Sequence, residues 1–227
     1  MVETPYERSL EMDVIEAIRT TGACRYFRPD PVPDEVLERL FDAARYGPQG
    51  GNRQPVRYIV VRDPALRKQL AEWYLPYWNR ILDMAARGEY RGPARMLSDA
   101  THMANHFGEI PVLVVVCAVL GDLARTDAEL DRPGIVGGAS VYPSVQNLLL
   151  AARNEGLGAT LTTLLCAVEP QVKELLGIPP ELITCATIAL GYPERPLPTK
   201  LSRGPISATV FSERYGEPLF PPQPAMM

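Results

Sequence analysis

Residues 112–120 read VLVVVCAVL, nine positions with no charge and no turn former. A bilayer span needs about 20 apolar residues, so this run is too short to cross one. Its β-branched content makes it a strand, and the lack of polar alternation means that both of its faces are covered. A chain containing such a strand has to fold in layers, with a sheet in the middle and other elements packed on each side. Apolar spacing predicts those elements: helices over 13–20, 34–46, 65–74, 139–155 and 169–177, and strands over 56–63, 159–163 and 183–192. In the first helix Val14, Ile15, Ala17 and Ile18 are available for burial, and Asp34 is placed to cap the second. The pattern is α+β or α/β, and no break divides residues 1–227 into two domains.

Two stretches fit that pattern less well. Residues 75–108 begin aromatic-rich and turn loop-like through RGEYRGPAR, which reads as helices around a lid-like excursion. From about 193 to 227 the chain is rich in proline and has no period. An arm laid across another surface, such as a dimer partner, is one reading, and a loose terminus is the other.

The formal net charge of −4 argues against nucleic acid as a partner, because such sites need a dense cationic face. Four cysteines lie far apart with no CxxC, as expected of free thiols in a reducing compartment. The opening MVETPYERSL has neither a basic n-region nor an apolar h-region. A cytoplasmic protein with no membrane attachment is the expectation.

Four pieces of sequence suit a ligand. Arg25 follows the glycine turn TTGAC, and a guanidinium beside uncovered N–H groups suits a phosphate. The loop GPQGGNRQP (47–55) carries glycines that let the backbone come close to a planar molecule, and Asn52 and Gln54 offer both donors and acceptors to a heterocycle. Thr162 and Thr163 end a short strand, and Lys200 and Arg203 stand in the tail sequence KLSRG. Each has an ordinary alternative: a surface arginine, a self-capped loop, strand surface, a solvated basic pair. His102 and His106 have the i, i+4 spacing of a helical metal pair but no third ligand, so no metal site is assigned. No G-x-S-x-G and no P-loop occurs. With no side-chain catalyst in view, the chemistry is expected to come from a bound cofactor.

Three segments in this order and spacing resemble the FMN-dependent nitroreductase family over about residues 11–210: DVIEAIRTTGACRYF through the 47–55 loop, SVQNLLLAARNEGLGATLTT, and LLGIPPELITCATIALGYPERPLPTKLSRGPI. The resemblance implies an α+β fold with a mixed or antiparallel central sheet flanked by helices, in an intertwined homodimer with FMN at the interface. It implies hydride transfer from NADH or NADPH through flavin N5 to a nitroaromatic or quinone-like acceptor, with no catalytic side chain. The family's Arg-Arg-Ser-x-Arg motif falls on residues 21–25, where Arg25 alone is kept and Thr21 and Ala23 hold the other cofactor positions. Its Pro-Ser-x-x-Asn-x-Gln-Pro falls on residues 48–55, giving Pro48, Gln49 in place of serine, Gly50, Asn52 and Gln54. Leu161, Thr162 and Thr163 match the strand end that bonds flavin, and Arg203, with Lys200 near it, matches a phosphate arginine. Tyr74, Trp78 and Tyr90 are candidates to hold a small aromatic acceptor, with helix packing as the alternative. Reductive dehalogenation, oxidation of a specialised metabolite and non-catalytic FMN binding are the rival readings. Dehalogenases of the family grip a zwitterion with Glu, Tyr and Lys of the lid, whereas here Glu89 and Tyr90 are adjacent and 75–108 contains no lysine.

Overall fold

The computed structural model describes residues 12–221, so the MVETPYERSL stretch and the last six residues of the arm lie outside the described residues. Strands β1 (Val56–Val61), β2 (Val112–Val119), β3 (Gly158–Thr162) and β4 (Leu182–Gly191) form one sheet in the order β1-β2-β4-β3. All three neighbouring pairs are antiparallel, which selects one of the two sheet types expected. Helices α1 (Val14–Thr20), α2 (Asp34–Ala44), α3 (Pro64–Ala86), α4 (Ala94–Asn105), α5 (Tyr142–Asn154) and α6 (Glu169–Leu176) surround it.

The apolar run becomes β2, an inner strand buried from Val112 through Ala118. Its side chains alternate between two cores, as the two-residue period of a strand requires. Val112, Val114 and Val116 pack with Leu37 and Leu40 of α2 and Val145 and Leu148 of α5. Leu113, Val115 and Cys117 pack on the opposite face with Leu70 and Tyr74 of α3, Phe107 and Val172 of α6.

Several elements depart from the sequence expectation, each for a local reason. The third helix continues to Ala86, past Pro76, because Asp63 caps its start and the apolar stripe of Leu70, Tyr74 and Trp78 runs on into the core. The RGEYRGPAR sequence then forms the turn between α3 and α4. Asp34 is the first residue of α2 rather than its cap, and its carboxylate is paired with Arg62. The fifth helix starts at Tyr142, later than expected, with Pro143 in its first turn and a 3-10 turn over Val136–Ser140 before it. In α1 only Ala17 and Thr20 are buried, while Val14, Ile15 and Ile18 are 62%, 48% and 51% exposed. The apolar face of α1 therefore has no cover among the described residues.

Strand β3 is an edge of the sheet, and the segment after α1 runs along it. Ala23 bridges Ala159, the Cys24 N–H donates to the Ala159 carbonyl at 3.0 Å, and the Thr160 hydroxyl donates to the Cys24 carbonyl. From there the segment leads to the residues after β4: Phe27 bridges Pro193, and the Arg28 N–H donates to the Tyr192 carbonyl at 2.9 Å.

Candidate functional site

The turn after α1 is held closely in place. Thr21 is the C-cap of α1, and its hydroxyl is spent on the Ala17 carbonyl at 2.7 Å. The arm folds over the next residue: a Cβ on Gly22 would stand 2.8 Å from Pro198 Cγ and 3.0 Å from Leu201 Cδ2. Arg153 ties the two together, donating to the Thr20 hydroxyl at 3.1 Å and the Pro198 carbonyl at 3.3 Å. Ala23 is exposed, and Arg25 is half-buried with no hydrogen bond or ion pair from its side chain among the described residues. Lys200 and Arg203 are exposed a few residues along the same arm, and Arg203 bonds the Ser202 carbonyl at 2.7 Å and no other group among the described residues.

The 47–55 loop is moored elsewhere, at the start of α5. Gly47 lies so close to that helix that a Cβ would sit 2.4 Å from the Ser144 nitrogen. Ser144 Oγ donates to the Ala44 carbonyl at 2.5 Å and accepts from the Tyr58 hydroxyl at 2.9 Å, while the Gly50 N–H donates to Ser140 Oγ at 3.1 Å. Gly51, Asn52 and Gln54 all have positive φ, of 62°, 51° and 53°. For Asn52 and Gln54 that backbone is strained, and strain of this kind tends to cluster at ligand clamps. Pro48, Gly50, Asn52 and Gln54 are exposed, and the side-chain amides of Asn52 and Gln54 make no hydrogen bond among the described residues. Gln49 Oε1 is buried and has no donor among the described residues. Buried acceptors are nearly always satisfied, so an amide oxygen left open here suits a ligand N–H.

At the end of β3, Leu161 is 37% exposed, Thr162 is half-buried and Thr163 is exposed. Thr163 has left the strand and begins a 3-10 turn over Leu164–Val168. It also lines a cavity of about 640 Å³, with Arg125, Tyr142, Cys166 and Cys185 among the other walls. Thr162 faces inward, and its Oγ1 lies 3.3 Å from the Tyr74 hydroxyl.

The insert's aromatic residues are mostly structural. Tyr74 is 1% exposed and stacks on Phe107 at 4.0 Å, and Trp78 is 7% exposed with its indole N–H on Thr101 Oγ1 at 3.3 Å. Their ring faces are taken up by core packing, so the expectation that they stack on an acceptor is corrected for both. Tyr90 is half-buried in the α3–α4 turn, its ring lying over Gly92.

His102 and His106 stack with ring centroids 4.3 Å apart, and Tyr26 stacks on His102 at 4.2 Å. Arg195 covers the Tyr26 ring at 3.4 Å, and the Tyr26 hydroxyl donates to Asp99 at 2.8 Å. A cavity of about 250 Å³ opens here between Arg25, both histidines, Glu109 and Glu194. Burial, then the neighbouring His106, push the His102 pKa down from 6.5, against the opposing pull of Glu194 and Asp99. A folded-state pKa below the unfolded one favours neutral His102, so its contribution to stability is full above that unfolded value and is lost as the pH falls through it. Acidification from about pH 7.5 to about 5.5 is expected to lower the unfolding temperature more in the wild type than in His102→Asn. Equal slopes in thermal melts of the two would remove His102 from the explanation.

Sequence reasoning missed Ser140, Ser144 and Arg153 as residues that hold these pieces, and named Tyr74 for a different task. The serine pair, four apart at the start of a helix, was a readable signal. The Arg153–Thr20 and Tyr74–Thr162 contacts span 133 and 88 positions, and nothing local in the sequence marks either pairing.

Residues 18–192 match the sequence profile described as the Nitroreductase family. The chain belongs to that family. A Methanothermobacter thermautotrophicus protein provisionally named NADH dehydrogenase/NAD(P)H nitroreductase is 31% identical over 188 residues, covering 81% of this chain and 78% of its own. Among solved structures, the Vibrio harveyi NADPH:FMN oxidoreductase complexed with NAD+ superposes with a TM-score of 0.64 at 22% identity, covering 90% of this chain and 78% of that one. An iodotyrosine deiodinase bound to FMN and 3-iodo-L-tyrosine gives 0.63 at 23% identity, covering 86% and 96%. Membership makes this nitroreductase-family chain an oxidoreductase of α+β fold, as the sequence led one to expect. No helix among the described residues is long and apolar enough to cross a membrane.

Proposed function

We propose that this nitroreductase-family chain binds FMN and passes hydride from NADH or NADPH to a small nitroaromatic or quinone-like acceptor, as a cytoplasmic homodimer. The observation that carries the reading is a pair of incomplete half-sites. One half has Arg25, which has no side-chain partner among the described residues, in the segment that pairs with β3, with Lys200 and Arg203 on the arm that covers Gly22. The other half has the open Gln49 oxygen and the free amides of Asn52 and Gln54, in a loop moored at the start of α5. A second copy that brings its loop to the first copy's β3 end would complete both. The exposed Val14, Ile15 and Ile18 of α1, and Tyr215, Leu219 and Phe220 of the arm, offer apolar surface for such a partner.

The donor set fits the cofactor. FMN supplies the hydride-accepting flavin ring, and every other task falls to this chain's residues. Arg25, Lys200 and Arg203, with Thr21 and Ala23 backbone groups, would hold the phosphoryl end and neutralise it. Gln49, Gly50, Asn52 and Gln54 would meet the edge of the ring with donors and acceptors, and Pro48 would stiffen the start of that loop. Leu161, Thr162 and Thr163 would supply hydroxyl and N–H groups where negative charge gathers on reduction. Tyr90 is the insert aromatic still available to an acceptor.

The dehalogenase alternative stands beside this reading, since an iodotyrosine deiodinase is among the relatives; Glu89 of the α3–α4 turn accepts from Arg87 Nε at 2.8 Å. The visible spectrum of the purified protein, with mass spectrometry of what boiling releases, tests the cofactor. Stopped-flow bleaching with NADH and NADPH, followed by reoxidation with nitrofurazone, menadione or iodotyrosine, tests the rest. A colourless monomer that takes up no FMN would overturn the reading, and a yellow protein that neither donor bleaches would leave FMN binding without turnover.

A further inference from the structure

Tyr74 is only 1% exposed yet carries a polar hydroxyl, and its ring is clamped against Phe107 at 4.0 Å and 7°. Its one hydrogen-bond partner among the described residues is Thr162 Oγ1. The direction of that bond follows from accounting for the protons. Were Thr162 the donor, the phenolic proton would be buried with no acceptor, which is unfavourable by about 1–3 kcal/mol. Tyr74 is therefore the donor. Thr162 Oγ1 also accepts the Leu164 N–H at 3.5 Å. A hydroxyl has two acceptor positions and one proton. With both acceptor positions filled from within the protein, the Thr162 proton points away from them.

The strand says which way that is. Thr160 and Thr162 share a face of β3, because side chains two apart on a strand point the same way. Thr160 binds the Cys24 carbonyl, and Thr162 lies one step further along, as the last residue of β3. Arg25 is close enough to Tyr74 to oppose, with the Thr162 bond, the upward push of burial on the phenol. A fixed hydroxyl donor thus stands at the end of β3.

We infer that Tyr74 is a positioning residue that acts through Thr162, holding its hydroxyl as an outward donor to the flavin edge that becomes negative on reduction. The inference rests on the FMN reading above and deepens it. Neither the apolar spacing of α3 nor the family motifs mark Tyr74 for this task. It makes no contact with the cofactor and moves no proton of the reaction. Its effect is to spare the hydroxyl a choice of directions when charge develops.

The test is the two-electron potential of bound FMN, with its affinity in the oxidised form, in Tyr74→Phe, Thr162→Val, Thr162→Ser and the double variant Tyr74→Phe/Thr162→Val. Phenylalanine keeps the stack on Phe107, so folding is retained. In Tyr74→Phe the affinity for reduced relative to oxidised FMN is expected to fall about tenfold, which makes the potential more negative by about 30 mV for a two-electron couple. Thr162→Val is expected to lose at least as much, Thr162→Ser to stay near wild type, and the double variant to match Thr162→Val alone, since one residue acts through the other. An unchanged potential in Tyr74→Phe, or additive losses in the double variant, would overturn the inference while the protein remains a flavoprotein. A wild type that holds no FMN overturns the underlying reading instead, so the two failures are distinct.

Discussion

Arg25→Ala is expected to weaken FMN binding roughly 10- to 100-fold, the range for losing charge-assisted hydrogen bonds to one group. The thermal unfolding of the FMN-free protein is expected to stay nearly unchanged. These two outcomes belong together. Arg25 has no side-chain hydrogen bond or ion pair to lose among the described residues, so removing it costs the apo fold little. The segment that carries it is held by backbone and neighbours instead, through Cys24 on Ala159 and the Thr160 hydroxyl on the Cys24 carbonyl. Fluorescence titration of the apoprotein with FMN, beside melts of the same samples, checks both. Arg25→Lys should recover part of the affinity, since a point charge replaces the planar fork without its second N–H bond. Affinity within threefold of wild type in the alanine variant would place the cofactor elsewhere. A large loss of melting temperature would mean that Arg25 has a structural partner after all.

How much of this was legible in the sequence depends on how local each feature is. The central strand was, because a run of seven buried residues has to be written as an apolar run. The helix faces and the 47–55 loop were, because periodicity and glycine are local signals. The end of α3 was not. Pro76 looks like a stop, yet the Leu70, Tyr74 and Trp78 stripe gains enough burial to carry the helix through it. The fate of the aromatics shows the same limit. Tyr74 and Trp78 read equally well as a ligand platform or as core, and only the packing of Phe107 and Thr101 against them decides. The exposed face of α1 is the converse case. Val14, Ile15 and Ile18 were written for burial, but the surface that would bury them is not in this chain's described residues. The site was legible as four separate pieces, and its division into two half-sites was not, because the mooring of each half is made by long-range hydrogen bonds.

Gly47→Val is expected to destabilise the protein by about 3 kcal/mol, the upper part of the range for forcing atoms into a packed region. In a chain of this length that lowers the unfolding temperature by roughly 10 °C. The cause is steric. A Cβ at position 47 would lie 2.4 Å from the Ser144 nitrogen and 2.5 Å from its Cα, and both are backbone atoms of α5 that no side-chain rotation can move. Relief has to come from separating the end of α2 from the start of α5. That separation breaks the Ser144 hydroxyl's bond to the Ala44 carbonyl and, through it, the Tyr58 contact. Gly121 provides the control, because a Cβ there would meet nothing within 4 Å, so Gly121→Ala is expected to be near neutral. Urea titration of the three proteins measures the difference. The consequence for function follows from the same contact: Gly47 is the root of the loop that carries Gln49, Asn52 and Gln54, and Gly50 is tied to Ser140 just ahead of α5. A variant that moves the root by even an ångström carries those amides away from the ring edge they would meet. Gly47→Ala, the milder substitution, is therefore expected to lose FMN affinity at temperatures well below its unfolding transition. If it keeps full affinity despite lowered stability, the loop's position does not matter to the cofactor and the second half-site is misassigned.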